Sequence, residues 1–214
     1  MMDALAGASR THVSNRFTTW RLTTLTGRLT ELSSLGGAAG LTLAFSVVLD
    51  AQRQGEPVGW LTAGKSPFFP PDVAAGGIDL EALVVVRLPS SQQIPRAAEH
   101  LARSGAFGLL VLDLIHSTHI PAPMQMRLLG LAQKHHTAVL CLTRKKGEAP
   151  SLGSLVSLRA ETLCEQIDRR SDPDDDAGES GISIFACTAQ ILKDKRCGPG
   201  WTHVEVCRGP DGLC

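Results

Sequence analysis

At 214 residues, 43% of them hydrophobic, the chain is long enough for one sizeable α/β domain and has enough apolar side chain to build its core. Its 21 basic and 21 acidic residues cancel, which excludes a whole-molecule field attracting nucleic acid or an anionic membrane and leaves any DNA contact to a local patch. No run approaches the ~18 apolar residues of a membrane span. The N-terminal MMDALAGASRTHVSN has neither the basic start nor the apolar centre of a secretory leader. The six cysteines include no C-x-x-C pair, and four of them lie in apolar or alternating runs where cysteine serves as a small hydrophobe. The expectation is a reduced, cytosolic protein.

Residues 1 to about 20 are polar and predict a mobile arm, with Trp20 and Leu22 able to pin its end to the body. A first strand is expected over Arg28–Ser33, then a glycine-rich turn, then a helix over Leu41–Gln54 with Leu41, Ala44, Phe45, Val48 and Leu49 on one face. Gly55 is the expected C-cap. Strand, glycine turn and apolar helix form the layout of a phosphate-binding loop, in which backbone N–H groups and a helix N-terminus cradle phosphate oxygens. The signature G-x-x-x-x-G-K-[ST] also needs a lysine, and Ser34–Thr42 contains no lysine or arginine.

Pro57–Thr62 predicts a second strand, followed by a Pro/Gly loop in which Phe68 and Phe69 are expected to fold inward. LVVVRL (83–88) predicts a strand covered on both faces. A helix over 95–103 is closed by Gly105, and FGLLVLDL (107–114) predicts a buried strand carrying Asp113 at its end. A helix entered through prolines (121–136) and a buried strand (138–143) follow. This alternation implies a mostly parallel sheet with helices on both faces. After Pro150, 155–161, 182–192 and 202–208 alternate without a long helix between them, which predicts antiparallel strands extending the same sheet, with the acidic segment 171–180 as a hairpin turn.

Several runs together suggest a family. GRLTEL (27–32) before a glycine turn, GGIDLEALVV (76–85), LARSGAFGLLVLD (101–113), ILKDK (191–195) and THVEVCRGPDGL (202–213) occur in the order and approximate spacing of the RecA recombinase core, which the chain resembles over about 27–213. The resemblance implies the RecA-type α/β fold, with an N-terminal arm over 1–20 and one domain over 21–214. It also exposes departures. Gly40 stands at the position of the family's phosphate-loop lysine, Leu41 at its magnesium-binding hydroxyl and Gly64 at the glutamate that activates water, while Asp113 keeps the Walker-B position. Phosphoryl transfer depends on positioning and positive charge around the transition state, so the expectation is a chain that hydrolyses no ATP and needs no cofactor. Gly36, Gly37, Gly40, Thr42 and Asp113 would then be a vestigial nucleotide site. Lys65, near the missing base, is more simply read as solvated than as a replacement cation.

Segments 115–123 and 144–153 correspond to the family's DNA-holding loops and are short here. Arg144, Lys145 and Lys146 are candidate phosphate contacts giving weak, salt-sensitive DNA binding, against the plainer reading of a solvated basic turn. Lys193 and Lys195, with Arg196 beside them, fall where the resemblance implies lysines that reach the nucleotide of an adjacent protomer, so they are the candidate RecA interface. The alternative reading is the charged end of an edge strand. The resemblance is closest to the ImuA family of SOS accessory factors. It implies a cytoplasmic protein of translesion mutagenesis, at the nucleoid when DNA is damaged, with RecA and an ImuB-like polymerase relative as partners. A SulA-like inhibitor of cell division and a divergent DNA-dependent ATPase are the alternatives. His116 and His119 sit on a proline-rich loop without a third ligand, so no metal is expected. His135 and His136 suit a helix C-terminus, and no histidine pattern supports Cys164 or Cys187 as a nucleophile.

Overall fold

The computed structural model describes residues 19–35, 39–64, 73–74, 76–115, 119–167 and 184–208. A short helix α1 (Leu22–Leu25) leads into β1 (Leu29–Ser34), α2 (Ala39–Arg53) and β2 (Val58–Ala63). Then come β3 (Leu83–Leu88), a 3₁₀ turn (Ser91–Gln93), α3 (Ile94–Ser104), β4 (Leu109–Asp113), α4 (Ala122–His135) and β5 (Ala138–Arg144). Three long strands follow: β6 (Leu158–Ile167), β7 (Ile184–Asp194) and β8 (Thr202–Arg208). They form one eight-stranded sheet in the order β3-β2-β4-β5-β1-β6-β7-β8.

The sheet is parallel from β3 through β6 and antiparallel from β6 to β8. Its two faces carry separate cores. On one, Leu32, Trp60, Val111 and Leu140 meet Leu43, Ala44, Val47 and Val48 of α2, with Trp60 stacked on Phe45 at 4.7 Å between ring centres. On the other, Leu29, Leu61, Leu110, Leu112 and Val139 meet Ile94, Ala98 and Ala102 of α3 and Leu128 and Ala132 of α4. Alternate residues of one strand feed opposite cores, which is why the central strands read as continuous apolar runs. Trp20 is buried, and its indole N–H donates to the Leu43 carbonyl at 3.0 Å, so the chain is already anchored to α2 there.

Two expectations are corrected. Strand β3 is not covered on both faces: it is the edge of the sheet, and Val84 is 47% exposed. Its valines satisfy strand propensity at an edge as readily as in the centre. Strand β6 belongs to both parts of the sheet: it pairs in parallel with β1 and antiparallel with β7, so the antiparallel extension starts only on its β7 side. A parallel return needs a crossover of roughly a dozen residues or more, and the helix-free segment 145–157 supplies it. The expected acidic turn at 171–180 and the inward fold of Phe68 and Phe69 lie outside the described residues.

Candidate functional site

The C-terminal ends of β1, β2, β4 and β5 lie side by side, and the described residues of the expected glycine turn and its helix start there. Gly36 and Gly37 lie outside the described residues, whereas Gly40 and Thr42 occupy the first turn of α2, both half-buried. Gly40 packs close to Ser34: a Cβ on it would come within 3.3 Å of the Ser34 Cβ. Leu41, at the hydroxyl position, packs against the α2-side core instead of facing a metal. Gly64 has φ +66°, a left-handed conformation that strains any residue with a Cβ, including the glutamate the resemblance would place there. Asp113 is buried at the end of β4, where it accepts from the Thr62 hydroxyl of β2 at 2.9 Å and from the Ile115 amide at 3.4 Å. It therefore hydrogen-bonds at the sheet's C-terminal edge.

One cation does approach this turn, from a distant part of the chain. Arg144 is the register partner of Ser34, and its Nε–H donates to the Leu35 carbonyl at 3.4 Å. Parallel pairing of β1 with β5 produces that approach, and no local motif could reveal it.

Beneath the same end of the sheet is a buried group that the motif reading passed over. Glu31, in the middle of β1, has no exposed side-chain surface. Lys145 Nζ lies 2.5 Å from one carboxylate oxygen, which also accepts from Thr143 at 3.1 Å. The other oxygen accepts from the Ser151 hydroxyl at 3.0 Å and the Leu152 amide at 2.9 Å. Arg159 lies 3.9 Å away and donates to the carbonyls of Ala149 and Lys146. The Gly147 amide donates to Glu161 at 2.7 Å, and Gln125 holds the Leu152 carbonyl at 2.9 Å. The 145–157 crossover is thus clamped onto the sheet by a paired, hydrogen-bonded carboxylate, the form in which a buried charge is tolerable. This corrects the reading of Arg144, Lys145 and Lys146 as one basic turn: Lys145 points inward to Glu31, and only Arg144 and Lys146 are exposed. The available signal was a charged residue inside a strand otherwise destined for the core.

The second candidate cluster sits at the opposite end of the sheet, where β7 finishes beside the starts of β6 and β1. Asp194 there is buried and ion-paired with buried Arg28 at 2.5 Å. It also accepts from the Arg196 amide at 2.8 Å and from the Trp201 indole at 3.2 Å. Burial by itself would raise this carboxyl's pKa, but the hydrogen bonds from Arg28, the Arg196 amide and Trp201, with the charge of Arg28, hold it below the ordinary value. Arg28 in turn donates to the Ser157 hydroxyl and to the Ser157 and Thr24 carbonyls. Lys193 and Lys195 flank this anchor. Lys195 donates to the Ser154 carbonyl at 2.6 Å, and Arg196 reaches the carbonyls of Thr26 and Gly27. Burial, reinforced by the charge of Lys195, lowers the pKa of half-buried Lys193, with Glu31 opposing the shift and Arg159 adding to it. At this point β7 extends past the reach of β8, whose pairing runs from Ile184 only to Gln190.

No family model matches the chain. Among individual proteins it is similar to RecA of Fusobacterium nucleatum (30% identical, covering 49% of this chain and 29% of that one) and of Chlorobaculum tepidum (29%, covering 66% and 41%). A third, from Chlorobium limicola, is 26% identical over 75% of this chain and 46% of its own length. The core is RecA-like. The chain spans less than half the length of these RecA proteins in each match. The sheet, parallel at its centre with antiparallel C-terminal strands, agrees with that likeness. Among the described residues no helix is long and apolar enough to cross a membrane.

Proposed function

We propose that this chain is a non-catalytic RecA-like accessory protein of DNA-damage-induced translesion mutagenesis, of the ImuA kind, acting by contact with RecA, with an ImuB-like polymerase relative, or with both. One observation carries the reading. The phosphate-side positions bear Gly40, Leu41 and Gly64, while the charged segment Lys193–Arg196 at the other end of the sheet is held in a fixed place by the buried Arg28–Asp194 pair. Such a molecule offers one working face to a RecA neighbour and withholds the other, so it would cap or limit a filament rather than extend it. Contact with DNA, if made directly, would fall to exposed Arg144 and Lys146, and such phosphate contacts weaken as salt rises.

The test is capture of RecA and of the ImuB-like partner by the folded chain and by its Lys193→Ala/Lys195→Ala variant. Loss of RecA capture in the variant supports the reading, and unchanged capture removes the interface. A divergent ATPase is the second reading, favoured by Arg144 at the turn and by the Thr62–Asp113 hydrogen bond. It requires magnesium-dependent ATP hydrolysis that Asp113→Asn abolishes. Absence of turnover, and of heat on titration with Mg-ATP, leaves the accessory reading standing.

A further inference from the structure

The antiparallel part of the sheet collects three cysteines far apart in sequence. Cys164 on β6 is the direct register partner of Cys187 on β7, and their sulfurs are 4.0 Å apart. Cys207 on β8 brings its sulfur to 3.5 Å from that of Cys187, and its thiol also faces the Phe185 carbonyl at 3.6 Å. Cys187 is buried between the other two, and Cys164 is exposed. Among the described residues no group of three His, Cys, Asp or Glu is arranged to hold a metal ion.

We propose that Cys164 and Cys187 form an oxidation site, at which a hydroperoxide oxidises exposed Cys164 and Cys187 closes a cross-strand disulfide joining β6 to β7. Backbone geometry selects this pair over the one with closer sulfurs. Residues directly opposite in an antiparallel ladder have Cα atoms about 4.5–5.5 Å apart, inside the roughly 4.4–6.8 Å range that a disulfide spans. Cys207 is the register partner of Phe185, and Cys187 that of Glu205. Cys187 and Cys207 are therefore diagonal neighbours, about 7–8 Å apart by backbone, which is too far to bridge without moving a strand. The 164–187 sulfurs start 4.0 Å apart, and Cys164, being exposed, is the side chain with room to rotate toward its partner.

The two thiols have different parts in the step. Cys187 has its pKa pushed up to about 12 by burial first, then by its hydrogen bond to Cys207 and the charges of Cys207 and Cys164. It stays protonated at neutral pH and does not make the first attack. The Cys164 thiolate attacks the hydroperoxide; the O–O bond breaks, the sulfur becomes a sulfenic acid, and the departing alkoxide or hydroxide takes up a proton. Cys187 then attacks the Cys164 sulfur, the S–O bond breaks, and hydroxide leaves as water with the Cys187 proton. Two thiols lose two electrons, and the hydroperoxide is reduced to an alcohol (or water) plus water.

The experiment treats the full chain with one equivalent of hydrogen peroxide and maps its unreduced peptides by mass. A peptide pair joined through Cys164 and Cys187, released by dithiothreitol, lost in Cys164→Ser and retained in Cys207→Ser, is the expected result. In Cys187→Ser, a sulfenic-acid probe should accumulate on Cys164. A bond through Cys187 and Cys207, a bond between two chains, or persistent sulfenic acid on Cys164 of the unmutated protein would each overturn the proposal. The map of the unmutated chain decides the matter even if Cys187→Ser does not fold.

Discussion

Replacing Asp194 by Asn tests the buried anchor at the start of the sheet. The substitution keeps the shape of the side chain and one acceptor oxygen for the Arg196 amide or the Trp201 indole, but it removes the negative charge facing Arg28. The Arg28 side chain is 1% exposed and would be left facing neutral acceptors alone, the amide oxygen, the Ser157 hydroxyl and the carbonyls of Ser157 and Thr24. Breaking a buried pair in this way costs about 3–5 kcal/mol, a large share of the ~5–15 kcal/mol that holds a typical domain folded. With a urea slope of about 1–3 kcal/mol per molar, the denaturation midpoint should fall by roughly 1–5 M, least for the steepest slope. The effect is also pH-dependent with a definite sign. Because the folded carboxyl is held below its ordinary value of 3.8, its contribution is complete above that pH. It is lost as pH falls through the lower, folded value. The gap between parent and variant should therefore stay constant near neutrality and close only in acid below about pH 4. A neutral-pH shift of less than ~1 kcal/mol, the range of an exposed pair, would refute the reasoning by showing that Arg28 reaches water.

Three further outcomes are expected. Glu31→Gln removes the charge facing Lys145 and Arg159, so amides of 145–157 should exchange with solvent faster while those of β4 stay protected, as read by hydrogen exchange. Gly105→Ala meets both the left-handed φ of +68° and His135 Nδ1 at 2.6 Å from the added Cβ, so the melting temperature should fall by what about 1 kcal/mol or more produces. Leu110→Ala hollows the fully buried core between β4 and the α3–α4 face and should lower stability by about 2–5 kcal/mol in urea titration.

How legible the chain is depends on the range of the interaction. Local signals held up: Gly105 ends α3 in a left-handed conformation, His136 closes α4, and the apolar run ending at Asp113 is a strand buried along its whole length. Neighbourhood did not follow from such signals. LVVVRL has the same pattern at an edge as in the centre, so only the strand order reveals that β3 lies outermost. The direction of β6 was hidden because a crossover normally announces itself by a helix, and here a loop tied to Glu31 makes it. Within the candidate site, Gly40, Leu41 and Asp113 are singled out only by the resemblance to the RecA core. The approach of Arg144 to Leu35, across 109 residues of sequence, and the clamp of Lys145 on Glu31 exist only once β1 and β5 are paired.

The contrast between the two ends of the sheet bears on why a buried ion pair is present at all. For stability alone, a well-packed apolar pair often serves as well as a buried salt bridge or better, so Arg28 and Asp194 are poorly explained as glue. Direction is what they supply. Asp194 orients the Arg196 amide and the Trp201 indole, while Arg28 ties the start of β1 to the crossover at Ser157. Together they fix the backbone from which Lys193 and Lys195 project. At the C-terminal end of the parallel strands, by contrast, Leu41 is absorbed into the core and Gly64 has a backbone angle that disfavours a glutamate. On the proposed reading, a chain relieved of holding a nucleotide can let its first end relax into ordinary packing. The end that meets a partner must still keep its charges in register, and a directional polar network does this better than apolar contacts, which are indifferent to orientation.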